Sequence, residues 1–148
     1  MKKITLLAIV LVASAFSTAS AQETKMQKDH PNYYETMNLL RKAWWWMEPK
    51  PAAGDEQSAE RSTSLGWEAI HTAGIEYSKT FNDKPTGKDY EDTKGHKERW
   101  KKAYECLESA KAALDKADAK FDTGLKEKVL KDINEAEELV KKVIAAAK

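Results

Sequence analysis

The chain has a single cysteine, Cys106, among 148 residues, and that scarcity removes whole classes of protein. One thiol closes no internal disulfide and builds no cysteine-rich metal site. Cys106 therefore reads as a small buried apolar residue. Strand signals are missing too, because the β-branched residues are scattered and never alternate over a sustained run. Without strands there is no frame for a glycine-rich phosphate loop. Cys-x-x-Cys-His and His-Glu-x-x-His are absent, and Gly66 lacks the Gly-x-Ser-x-Gly context of a hydrolase nucleophile. An excess of one charge is also missing: 25 basic residues face 24 acidic ones. That balance supplies no electrostatic drive toward nucleic acid or an anionic membrane.

Long apolar runs are lacking as well. The longest, Ile4 to Ala15, is about a dozen residues, short of the roughly 20 that span a bilayer. It follows the cationic Met1-Lys2-Lys3 and precedes the small residues Ala19, Ser20 and Ala21. This is the order of a secretory signal peptide over residues 1–21, with Gln22 as the new N-terminus. With no cysteine near the cleavage point, the product is not a lipoprotein. The expected location is the periplasm or the medium, with no membrane span left after processing. Cleavage leaves 127 residues with 23 basic and 24 acidic side chains, the size of one domain with one core.

What remains is helical in pattern. A polar tail over 22–30 leads into a single domain over 31–148. Breaks fall at Glu48–Asp55, at Asn82–Gly87 and at Lys120–Gly124, where prolines and glycines oppose helix continuation. Ser58 or Ser62 is the expected cap of the second segment, and Asp122 or Thr123 that of the last. Trp100, Ala103, Leu107, Ala110, Leu114, Ala117 and Phe121 recur every three or four residues, and so do Val129, Ile133, Ala136, Val140, Val143 and Ala147. These two stripes predict an antiparallel hairpin. Trp67, Ile70, Gly74, Tyr77 and Phe81 form the stripe of the second segment. Short connections favour antiparallel neighbours, so the expected fold is all-α: an up-down antiparallel four-helix bundle, with a three-helix core as the alternative. Glu135, Glu137 and Glu138 against Lys141 and Lys142 read as a solvated face with pairing one turn apart.

The first helix, over 31–48, carries Trp44, Trp45 and Trp46 in succession. Consecutive positions turn by about 100°, so three rings spread over about 200° and cannot share one core. Tyr33, Met37, Leu40, Ala43, Trp44 and Met47 cluster on one side, with Leu39 and Trp46 at its edge. Trp45 falls with Asn38, Arg41 and Tyr34 on the opposite face. It is covered by the 49–57 loop, stacks on Arg41, or presents an aromatic surface to a protein or glycan partner. The surplus tryptophan points to a non-enzymatic binding or structural module, with Trp45, Trp46, Arg41 and Tyr34 as its contact residues.

A second reading starts from a turn near Lys84. It places His71 and His96 at one height, with Met37 in a similar layer. Two histidines and a methionine are ligands of the type that hold haem iron or copper. A third reading is an enzyme whose residues converge only in three dimensions.

Overall fold

The computed structural model describes residues 24–47, 51–76 and 95–148. The expected signal peptide, Tyr77, Phe81 and the turn near Lys84 lie outside the described residues. Among those described the fold is all-helical, with no strand. Its elements are α1 (Lys25–Asp29), α2 (Pro31–Trp46), α3 (Asp55–Thr72), α4 (His96–Asp115) and α5 (Leu125–Ala146). No helix among them is long and apolar enough to cross a membrane.

The apolar stripes become the core. Tyr33, Met37, Leu40 and Ala43 of α2 are buried, as are Trp100, Ala103, Leu107, Ala110 and Leu114 of α4. Val129, Ile133, Ala136, Val140 and Val143 of α5 join them. Helix α2 packs against both α3 and α4, and α5 packs against the same two.

The direction of each pair follows from named contacts. At the start of α2, Asn32 Nδ2 donates to Lys116 O (3.0 Å) and Tyr33 OH to Asp118 O (3.0 Å), just beyond the end of α4. At its other end, Trp44 bonds Glu60 near the start of α3. Lys97 reaches Ala147 O, and Lys126 reaches Asp115 O, so α4 and α5 are antiparallel. Because α2 runs opposite to both α3 and α4, those two helices share one direction. The expected alternation of up and down is therefore broken at the third long helix. Glu76 and Gly95 stand at opposite ends of the helices, so α3 and α4 are not the antiparallel neighbours expected.

Helix ends account for further differences. The second stripe predicts helix through Gly74, yet α3 stops at Thr72 with Ala73 as its cap. Gly74 adopts φ +102°, its N–H donates to His71 O (2.9 Å), and Ile75 N–H donates to Ile70 O (3.4 Å). These two bonds are the Schellman pattern, in which a left-handed residue turns the chain out of a helix. Burial of Ile75 next to buried Ile70 completes it. Helices α3 and α5 start behind Gly54 and Gly124 without a side-chain cap. Ser58 and Ser62 lie inside α3 instead, and Asp122 and Thr123 precede the α5 cap.

Residues 25–29, expected as tail, form one helical turn closed by a capping box between Thr24 and Gln27. Glu137, expected on a wet face, is only 6% exposed and pairs with Lys111 of α4 at 3.1 Å. Glu138 and Lys141 do pair at the surface, 2.9 Å apart.

A methyl group at position 74 meets only Met26 Cε at 3.7 Å, so its cost is conformational. Gly74→Ala should lower stability by about 1–2 kcal/mol, measured by urea denaturation. The Ile75 amide should lose hydrogen-exchange protection first.

Candidate functional site

Thr36 sets the rotation of α2. It is fully buried, donates to Asn32 O at 2.7 Å, and its hydroxyl lies 3.5 Å from Ala110 O of α4. The buried arc of α2 is therefore shifted toward Thr36, Ala43 and Trp46. This shift exchanges the expected places of two tryptophans. Trp46 is 8% exposed and belongs to the core, so it is not a contact residue. Trp44, expected in the core, is half-buried, and its Nε1–H donates to Glu60 Oε1 of α3 at 2.5 Å.

Trp45 is half-buried as well, and its ring meets that of Trp44 edge-on at 5.2 Å. The Arg41 guanidinium lies over the Trp67 ring, 5.7 Å from its centre, so the cation–π partner expected for Trp45 serves α3. Tyr34 is half-buried against the core. Of the four contact residues read from sequence, Trp45, Arg41 and Tyr34 keep partial exposure, and Trp44 replaces Trp46 beside them. The result is an aromatic rim along α2 and α3, with one ring fixed by a charge-assisted hydrogen bond.

The histidine–methionine layer does not form. His96, at the first position of α4, has Nε2 at 2.8 Å from Glu56 Oε1, at the start of α3. His71 lies fifteen residues past Glu56 on the same helix, which is about 22 Å along the axis. The two histidines therefore occupy opposite ends of α3, for the same reason that the alternation of directions fails. Met37 is fully buried. Among the described residues, no three His, Cys, Asp or Glu side chains gather as a metal would require.

Two further surfaces were not visible in the sequence. The His96–Glu56 pair borders a cavity of about 260 Å³ with Asp55, Lys142 and Val143. Glu56 is held there by its other oxygen, which accepts Ala52 N–H at 2.8 Å. Only the shared direction of α3 and α4 brings these residues together. At the opposite end, Leu65, Ala69, Ala73, Leu125 and Lys128 line an open groove of about 520 Å³. Leu65 is its apolar lip, 40% exposed.

No family model matches this chain, and no curated protein or solved structure matches it. The site is thus read from its own residues.

Trp44→Phe deletes the donor to Glu60 and keeps most of the ring. It should cost about 1–2 kcal/mol in urea denaturation, since the bond is charge-assisted and half-buried. Glu60→Gln, which retains an acceptor, should cost less.

Burial holds the Cys106 thiol above its usual range, outweighing the opposing effect of Lys42 and Lys102. The folded chain keeps this proton where an unburied cysteine has begun to lose it. Alkylation by iodoacetamide should accordingly be slower in the folded than in the unfolded chain at any pH up to about 8.5. The difference should narrow as the pH rises above the thiol's raised value.

Proposed function

We propose that the protein is exported, loses residues 1–21, and acts as a non-enzymatic binding or structural module in the cell envelope or outside the cell. In this reading the four long helices close into one bundle, a rigid support for the aromatic rim of Trp44, Trp45, Arg41 and Trp67. The partner is a protein or a glycan, both of which engage partly exposed tryptophan through its large apolar faces.

The observation that carries this reading is the Trp44–Glu60 bond. A half-exposed indole tied at 2.5 Å to a neighbouring helix has little rotamer freedom left to lose on binding. Ordering costs oppose association, and pre-organisation reduces them. Trp45, set edge-on to that ring, shares the support. Packing of Trp46 into the core fixes the end of α2 beneath both.

Export and binding are tested separately. The mass of protein recovered from the envelope or medium should correspond to a chain starting at Gln22; a mass retaining residues 1–21 would reject the processing step. For binding, the secreted chain and its Trp45→Ala variant are compared on an array of envelope and extracellular glycans, and by cross-linking in the native host. The wild type should engage a glycan or one cross-linked protein, and the variant should lose at least tenfold in affinity while its unfolding midpoint shifts little. Equal behaviour of the two chains rejects the rim as the contact surface.

A further inference from the structure

Besides its continuity with α2, the segment at residues 24–30 touches two loops, and those loops frame the Leu65 groove. Gln27 is 5% exposed and every polar atom of its carboxamide is engaged at one point. Its Oε1 accepts Thr24 N–H at 2.6 Å, and its Nε2–H donates to Glu76 O at 2.5 Å. Beside it, Met26 Cε lies 3.7 Å from the position a methyl would take on Gly74. The His30 ring lies 3.8 Å from that of Phe121, which also touches Tyr33. One arm thus holds the chain leaving α3, at Gly74 and Glu76, and the chain entering α5, at Phe121. The ends of the groove, Ala73 and Asp122–Gly124, are the immediate neighbours of those contacts.

We infer that residues 24–30 are a releasable strap, whose detachment loosens both loops and widens the groove around Leu65. A helix of five residues has no stability of its own in water, so the arm persists only through what it touches. Among the described residues, its side-chain contacts with the two loops are one carboxamide, one methionine methyl and one ring stack. With Gln27 as the one buried residue of its helical turn, the arm is a segment that opens at low cost, as segments with few buried contacts do. Trimming of the exported chain near its N-terminus, or a partner that engages the arm, would act through this opening.

The test uses the exported chain with Gln27→Ala and with Gln27→Met; the second variant keeps apolar bulk and removes the hydrogen bonds. Native-state hydrogen exchange is read at Gly74, Ile75 and Leu125, whose amides bond His71 O, Ile70 O and Asp122 O. Tryptic cleavage after Lys25 and Lys28 is followed in parallel. Both variants should exchange and cleave about tenfold faster, the factor that corresponds to losing about 1.4 kcal/mol of net hydrogen bonding. Amides in the middle of α4 and α5 should stay at wild-type rates.

Unchanged exchange at Gly74 and Ile75 overturns the strap. So does acceleration that is uniform across all helices, which would make the arm part of the global folding unit. Wild-type protection in Gln27→Met would show that bulk rather than the carboxamide holds the arm, and it too rejects the latch described here.

Discussion

Leu40 and Gly66 meet where α2 crosses α3, and a methyl on that glycine would stand 3.1 Å from Leu40 Cδ1 and 3.7 Å from Asp132 Cβ of α5. Three helices approach one another at a single missing side chain. Leu40 fills the space fully buried, and Asp132, nearly buried, turns its carboxylate to Lys128 at 3.1 Å. Close packing of this kind leaves no slack, because protein interiors pack at the density of organic crystals. With α3 seated against α2 and α5 together, α4 takes the remaining side of α2 and of α5. The shared direction of α3 and α4, seen in the end contacts of α2, then decides which residues meet at each end.

The two ends are stabilised by different chemistry. At and just beyond the end of α4, the carbonyls of Asp115, Lys116, Ala117 and Asp118 accept from Lys126, Asn32, Lys126 again and Tyr33. Orphan carbonyls at a helix terminus need such donors, and here the donors come from α2 and α5, so capping α4 also ties three helices together. The other end gathers the starts of α3 and α4. Asp55 and Glu56 occupy the first turn of α3, where negative charge is favourable, and Glu56 spends one oxygen on Ala52 and the other on His96.

Periodicity made the core legible. Each α4 position from Trp100 to Leu114 read as inward is buried, and so is each α5 position from Val129 to Val143, because spacing of three and four is a property of the helix alone. Thr36, Asp132 and Glu137 escaped because polarity was taken as a sign of exposure, although each is satisfied by a carbonyl or a lysine. The path of the chain was also beyond the reach of spacing. Assuming that consecutive helices reverse was enough to put His71 beside His96 and to conjure a ligand layer. One pair of parallel helices separates those residues by about 22 Å. Gly74 carried the missing signal: read as a member of the stripe, it is instead the left-handed residue just past the Ala73 cap, where the chain turns out of α3.

The tryptophans show why a rim and a core coexist at the end of one helix. Trp100 is fully buried with an Nε1–H that has no hydrogen-bond partner, a loss on the order of 1–3 kcal/mol that its large apolar surface offsets. At Trp44 the polar edge instead reaches Glu60, which requires the ring to stay at the boundary between α2 and α3. The need to satisfy one N–H therefore keeps a large aromatic face half in water. Trp45, one step around the helix and leaning on that ring, is held there with it. Partial exposure of this pair goes with the rotation of α2 that turns Thr36 and Trp46 into the core.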